Sequence, residues 1–291
     1  MRVMCKIIDG RILAEKIKDE LVKEIIGERK GAEINNYPRP NLAIILIGER
    51  EDSSLYVGLK EKEAKKVGID THLYKCREDV SEKEVLDMIN FLNNDETVDA
   101  ILVQLPLPAH LNTDEIIGSI NQGKDIDGFH PDNLKILLNS CDGGAIMPPV
   151  FAACLEILKS IDCDLKNKNV AIIANSDIFG KSLAKVLECR GAKAQVVRAD
   201  GQNLKEETLN ADILITAVGK PKFIKKDFIK KGAVIIDIGI TKEEKKVFGD
   251  VDFEDVKEKA GFITPVPGGV GPLTIAMAFK NTLELYKNKR N

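Results

Sequence analysis

Short, wholly apolar runs alternate with longer stretches of helical periodicity along almost the whole chain, and this alternation restricts the fold more than any other feature. Leu42-Ala-Ile-Ile-Leu-Ile47 is apolar at six consecutive positions. A strand built from it hides both faces, as strands of parallel sheets do. Pro38 and Pro40 break the chain just before it. Upstream, after Asp9-Gly10, residues Ile12, Leu13, Ile17, Leu21, Val22 and Ile25 recur at helical spacing. Downstream, 53–67 reads as helix and 70–76 as strand. Residues 81–92 read as a helix opened by a capping box from Ser81 and Glu84, and 99–103 as a second buried strand. Strands and helices in this order demand a mostly parallel sheet with right-handed crossovers.

A second series follows Cys141-Asp-Gly-Gly144. Helix 150–159 leads to strand 169–174, helix 179–190 and strand 193–197, with further strands at 212–217 and 233–238. That order suits a Rossmann-like dinucleotide domain, and the fold class is α/β throughout. After the strand at 169–174 the turn reads Asn175-Ser-Asp-Ile-Phe-Gly180. It lacks a full G-x-G-x-x-G and keeps only Gly180 at a glycine place. Such a turn is either a plain βα connection capped by Ser176 or Asp177, or a diphosphate site at a helix N-terminus.

Thr264-Pro-Val-Pro-Gly-Gly-Val-Gly-Pro-Leu-Thr274 holds three prolines and three glycines. Proline fixes φ and donates no hydrogen bond, and glycine lets backbone approach a ligand. The run predicts a rigid loop ahead of a last helix, 273–287. It is either an ordinary connection or the lining of a site.

Composition narrows the function classes. With 44% hydrophobic and 31% charged residues over 291 positions, the chain can bury a core in one large or two ordinary domains. A net charge of −3 gives no general attraction to nucleic acid or acidic membranes. No stretch of about 20 apolar residues is present to span a membrane, and residues 1–10 are too poor in apolar residues for a signal peptide. Cys5, Cys76, Cys141, Cys154, Cys163 and Cys189 show no CxxC spacing and read as reduced thiols. His72, His110 and His130 lie far apart, so no metal site is expected.

Five segments carry a more specific signal. They are Tyr56-Val-Gly-Leu-Lys60-Glu-Lys62, Val103-Gln-Leu-Pro-Leu-Pro108 and Lys124-Asp-Ile-Asp-Gly-Phe-His-Pro131. The others are Ala217-Val-Gly-Lys-Pro221 with Gly249-Asp-Val-Asp252, and the 264–274 loop. In this order, over nearly the whole chain, they resemble the methylenetetrahydrofolate dehydrogenase/cyclohydrolase (FolD) family. The resemblance implies oxidation of 5,10-methylenetetrahydrofolate with NADP (or NAD in some members), then hydrolysis of the methenyl product to 10-formyltetrahydrofolate. It implies two α/β domains flanking a cleft. Residues 1–144, completed by 272–291, would bind folate, and 145–271 would form the Rossmann-like NAD(P) domain. It further implies a cytoplasmic homodimer acting on tetrahydrofolate derivatives, with neither nucleic acid nor membrane as partner.

Residue by residue, Lys60 matches the family's catalytic lysine. Tyr56, four positions earlier, shares its helix face and is placed to stack on or orient folate. Gln104 matches the glutamine that contacts this lysine, and Asp127 the aspartate that holds the folate ring. Ser53 lies near the lysine in the family, and Pro267, Gly268 and Gly271 fall where its loop closes over ligand. Ala174, Asn175, Ser176, Gly180, Arg198 and Ile240 match cofactor-contacting or neighbouring positions. Here the chain departs from the family. Gly-Arg-Ser is common where Ala174-Asn175-Ser176 stands, and His-Ser where Arg198-Ala199 stands. Of a common Pro-Cys-Thr-Pro-x-Gly, only Pro148 survives in Ala145–Val150. Arg198 can supply the charge that Asn175 lacks for the NADP 2′-phosphate, whereas Asp200 favours a ribose hydroxyl and hence NAD. Two rivals remain. One is a cyclohydrolase with weak or NAD-dependent dehydrogenase activity. The other is a non-catalytic folate- or nucleotide-binding regulator, against which the intact Lys60, Gln104 and Asp127 speak.

Overall fold

The computed structural model describes residues 5–30, 39–140, 146–243 and 246–290. Pro38, the Cys141–Gly144 boundary and Ala145 lie outside them. The elements run β1 (Lys6–Ile7), α1 (Gly10–Lys30), β2 (Asn41–Ile47), α2 (Glu51–Val67), β3 (Asp70–Cys76), α3 (Glu82–Asn94), β4 (Ala100–Val103), α4 (Thr113–Gly118), α5 (Pro131–Ser140) and α6 (Pro149–Ser160). Then follow β5 (Asn169–Ala174), α7 (Asp177–Glu188), β6 (Lys193–Val197), α8 (Leu204–Leu209), β7 (Ile213–Ala217), β8 (Val234–Asp237), β9 (Thr241–Glu243), β10 (Lys246–Phe248), α9 (Phe253–Val256), β11 (Phe262–Ile263) and α10 (Val270–Asn288).

The chain divides into two compact units. One comprises 1–14, 138–141 and 150–274, the other 15–137, 142–149 and 275–291. The division falls inside α1 and α10, so each of these helices contributes to both units.

The second unit is built on a parallel sheet of order β3-β2-β4. The apolar run of β2 occupies its centre, and Leu42 to Ile47 are all buried. One face carries Ala43, Ile45, Ile47, Ile101 and Val103 against Val85, Ile89 and Leu92 of α3. The capping box forms as expected. Glu84 N–H donates to Ser81 Oγ at 3.3 Å and Ser81 N–H donates to Glu84 Oε2 at 3.0 Å.

The first unit is a six-stranded parallel sheet of order β1-β11-β8-β7-β5-β6. The chain goes from β5 outward to β6, then crosses back to β7 on the other side of β5. The carboxyl ends of β5 and β7 therefore flank a topological switch point, where open α/β sheets bind ligands. Strands β1 and β11 have two residues each, too few to show a period, and the sequence reading omits them. Helix α10 starts at Val270, inside the Pro/Gly run rather than after it, because Pro272 sits in its first turn and needs no N–H there. Cys5, Cys76, Cys154 and Cys163 are free thiols. Cys189 is disulfide-bonded, which corrects the expectation of reduced thiols at that residue: reach between thiols is set by the fold and not by sequence spacing.

Candidate active site

Helix α2 carries three of the candidate residues. Ser53, Tyr56 and Lys60 stand three and seven positions apart, which places them on one helix face. Ser53 is buried, and Tyr56 and Lys60 are half-buried. The Lys60 Nζ donates to Gln104 Oε1 at 2.8 Å. Gln104 directly follows β4, and its backbone N–H continues the sheet ladder onto Ile45 O at 2.9 Å. Its amide Nε2 donates to Leu105 O at 2.7 Å. That bond turns the amide oxygen toward the lysine, since the –NH2 group already has its acceptor.

Asp127 lies in the loop between a single 3-10 turn, Gln122–Lys124, and α5. Several groups fix this loop. Buried Asp125 accepts from His130 N–H at 2.8 Å and from the buried Asn133 Nδ2 at 3.0 Å. Gly128 has φ +68°, and a Cβ there would meet Ile146 O at 2.5 Å. From α10, Asn281 Nδ2 donates to Ile126 O at 2.8 Å and Met147 O at 2.9 Å. Asp127 is thus carried on an immobilised backbone beside the lysine.

The electrostatics of the pair favour a labile proton. Burial pulls the Lys60 amine below its ordinary pKa, and the charge of Asp127 opposes that. Burial pushes the Asp127 carboxyl up to about 6, while Lys60 pulls it back and Asp125 adds a further rise. Both groups are driven toward their neutral forms. A lysine with its neutral form within reach can take or give a proton near neutral pH.

The cofactor positions collect at the carboxyl edge of the six-stranded sheet. Ala174 ends β5 and Ser176 caps α7, its Oγ accepting from Phe179 N–H at 3.3 Å. Asn175 Nδ2 donates to Val218 O just past β7 at 3.0 Å, and Arg198 Nη1 just past β6 donates to Asn175 O at 3.2 Å. Asn175 therefore ties three neighbouring strand ends together across the switch point. A Cβ on Gly180 would lie 2.7 Å from Val196 Cγ1, so glycine lets α7 pack directly on β6. Asn175 to Ile178 are exposed. Asp177 would repel a phosphate there, but Lys181 pairs with it at 2.9 Å. Arg198, with its side chain 56% exposed, lies 3.9 Å from Asp177 and 3.6 Å from Asp200. Ile240 is 41% exposed beyond β8. An open helix N-terminus, a close-packed glycine and an exposed guanidinium fit a dinucleotide with a phosphorylated ribose.

The 264–274 loop belongs to the six-stranded unit. Gly268, at φ +110°, accepts from Gly10 N–H at 2.9 Å, and a Cβ on it would touch the Arg11 guanidinium at 3.0 Å. Pro267 is exposed. Around Gly271 a Cβ would meet open space, so no packing demand explains its glycine. The structure brings Lys60, Gln104 and Asp127 together, with Tyr56 and Ser53 on the same helix as the lysine. Pro267, Gly268 and Gly271 share the other unit with the cofactor positions. Asp125, Asn133 and Asn281 escape the sequence reading. Asp125 lies inside a quoted motif, but nothing in the sequence marks Asn281, 154 residues beyond Asp127, as the anchor of its loop.

Residues 8–127 match the model of the tetrahydrofolate dehydrogenase/cyclohydrolase catalytic domain, and 148–290 that of its NAD(P)-binding domain. The chain is 45% identical to the bifunctional protein FolD of a Sulfurihydrogenibium species over 285 residues, covering 97% of this chain and 98% of that one. To the FolD of Aquifex aeolicus it is 44% identical over 287 residues, covering 98% and 97%. The crystal structure of the Campylobacter jejuni FolD enzyme superposes with a TM-score of 0.90 at 40% identity, covering 98% and 99%. The Trypanosoma brucei FolD, complexed with NADP and an inhibitor, gives 0.93 at 32% identity, covering 99% of both chains. With both domain models matched in order and relatives aligned end to end, this chain belongs to the tetrahydrofolate dehydrogenase/cyclohydrolase family.

Proposed function

We propose that Lys60 is the proton-handling residue of the methenyl hydrolysis, with Gln104 orienting its amine and Asp127 holding the pterin edge of the folate. The chain is a bifunctional enzyme. It oxidises 5,10-methylenetetrahydrofolate with NADP and hydrolyses the methenyl product to 10-formyltetrahydrofolate. The methenyl intermediate is a cation, and water must add to its bridging carbon. A fully protonated ammonium beside it would repel the cation. A lysine helped toward its neutral form by burial can instead take a proton from the attacking water and, as the ammonium so formed, pass it to the opening ring nitrogen. Gln104 supports this without adding charge. The Asp127 carboxylate can accept paired hydrogen bonds from an aminopyrimidinone, Tyr56 offers its ring to the folate, and Ser53 lies one turn further along the same face.

NADP supplies the hydride acceptor when bound. Ala174, Asn175, Ser176 and Gly180 present the switch-point turn to its diphosphate, Arg198 offers charge to the 2′-phosphate, and Ile240 gives an apolar contact. Pro267, Gly268 and Gly271 contribute a shaped loop to ligand binding. A folate domain of 1–144 with 272–291, an NAD(P) domain of 145–271, a homodimer and a cytoplasmic location complete this reading by resemblance to the family. No helix among the described residues is long and apolar enough to cross a membrane.

The observation that carries the reading is the 2.8 Å bond from Lys60 Nζ to Gln104 Oε1 beside a carboxyl shifted to about 6. Lys60→Ala tests it. Methenyl hydrolysis is expected to fall by roughly 10²-fold or more, while folate affinity, followed by fluorescence, stays within a few-fold. Hydrolysis at the wild-type rate would refute the assignment.

A further inference from the structure

Two carboxylates with no role so far, Asp237 and Asp250, are buried in the six-stranded unit at 3% and 0% exposure. Asp237 ends β8, and Asp250 follows the β9–β10 hairpin. Asp250 Oδ2 accepts from Thr216 Oγ1 at 2.9 Å and Val218 N–H at 2.8 Å, and its Oδ1 accepts from Lys220 N–H at 2.9 Å. Asp237 Oδ1 accepts from Gly239 N–H and Asp250 N–H, each at 3.0 Å, and its Oδ2 accepts from Val251 N–H at 2.9 Å. The backbone N–H of Asp237 donates in turn to Thr264 Oγ1 at 2.8 Å. One continuous set of hydrogen bonds therefore links the ends of β7, β8 and β11.

The glycines beside these residues make room for the arrangement. A Cβ on Gly239 would lie 2.1 Å from Asp250 Cγ, and one on Gly249 would lie 2.0 Å from Asp237 Oδ2. Burial pushes the Asp237 carboxyl up to about 7 against its backbone donors, with Asp250 adding to the rise. Apolar side chains in these two places would leave the Thr216 hydroxyl and five backbone N–H groups without acceptors, so the carboxylates hold the surrounding backbone in one arrangement.

Val218 gives its N–H to Asp250, and its carbonyl accepts from Asn175, so the peptide groups before and after it are both held at the switch point. The N–H groups before and after Gly219 both point inward to one carboxylate. Gly219 is thereby left at the exposed apex, with φ +67° and open space where a Cβ would be. Asp237 fixes Gly239 in the same way, directly before the exposed Ile240.

We infer that Asp237 and Asp250 are positioning residues for the dehydrogenase reaction, which set the 218–220 and 239–240 backbone against which NADP lies. The inference rests on the proposed placement of NADP at this sheet edge. It makes the clasp specific to one of the two activities, because Lys60, Gln104 and Asp127 all belong to the other unit.

The test uses Asp250→Asn, which turns an amide –NH2 toward N–H donors, and the milder Thr216→Val, which removes one donor and keeps the side chain's shape. NADP affinity is measured directly by titration calorimetry. The steady-state KM for NADP, kcat and methenyl hydrolysis are measured alongside. For Asp250→Asn, the Kd and KM for NADP should rise about tenfold or more, the scale of one lost buried hydrogen bond to a charged group. Hydrolysis should stay within about twofold of wild type on the same scale. Thr216→Val should move NADP affinity the same way by less, and it decides the matter alone if Asp250→Asn does not fold. Unchanged NADP affinity in the folded variants, or hydrolysis and NADP affinity falling in parallel, would overturn the inference. Failure of the wild-type chain to bind NADP would instead refute the cofactor placement from which the inference starts.

Discussion

Asp127 is held in a state that costs the free protein stability. Its carboxyl titrates at about 6 in the folded chain against an ordinary 3.8. The folded state thus binds that proton more tightly than the unfolded state does. Stability falls as pH rises between those two values, and the full cost remains above the higher one. Allowing for partial exposure, that cost is about 1–3 kcal/mol. Asp127→Asn should therefore raise the Tm of the ligand-free protein at pH 7.5 and give no such gain at pH 4, as read by scanning calorimetry, while folate affinity collapses. Equal gains at both pH values would mean the carboxyl is not strained. Arg198 makes a second prediction at this scale. It already contacts Asp177 and Asp200, so part of its charge is answered within the protein. Arg198→Ala should weaken NADP binding by about tenfold and leave NAD binding nearly unchanged. Parallel losses for both cofactors would assign the 2′-phosphate to other residues.

At the scale of elements, α7 shows how a sequence departure can leave the packing of a βα turn intact. The turn keeps one of the three fingerprint glycines, and that glycine is the one packing demands. Gly180→Ala puts a methyl 2.7 Å from Val196 Cγ1, so α7 must move off β6. A loss of about 1–3 kcal/mol in stability is expected, with weaker NADP binding because the Ser176 cap moves with the helix. Chemical denaturation and NADP titration check the two effects, and a neutral variant would show that the contact yields without cost. Such elements were legible in the sequence to different degrees. The apolar β2 run, the alternation and the Ser81 cap are local signals, and the structure contains them. Strands β1 and β11 are pairs of residues made strands only by their neighbours. The start of α10 was hidden by prolines that a first turn tolerates. Lys60, Gln104 and Asp127 are legible only through the ordered resemblance of their segments to a known family, since each alone reads as an ordinary surface, strand-end or turn residue. Of the groups that hold the Asp127 loop, Asn133 stands just past the 124–131 motif and Asn281 comes from a distant segment, and neither has a local signature.

Over the whole molecule, the residues proposed for the two chemistries fall in separate units. Lys60, its amide partner Gln104 and Asp127 occupy the three-stranded unit, and every proposed dinucleotide contact lies in the six-stranded one. The C-terminal helix serves the first set at long range. Asn281 holds the backbone ahead of Asp127, and beyond it Lys289 and Arg290 each reach the buried Asp99 at 3.3 Å at the entry to β4. In the proposed mechanism, the methenyl cation made by oxidation is tolerated and then hydrolysed because the lysine can exist without its proton beside it. The most direct test is an NMR titration of the 15N-labelled Lys60 Nζ, assigned by its loss in Lys60→Met. The account predicts a midpoint clearly below the ordinary 10.5 and a change in that midpoint when Gln104 is replaced by Ala. A midpoint at the ordinary value, insensitive to residue 104, would contradict it.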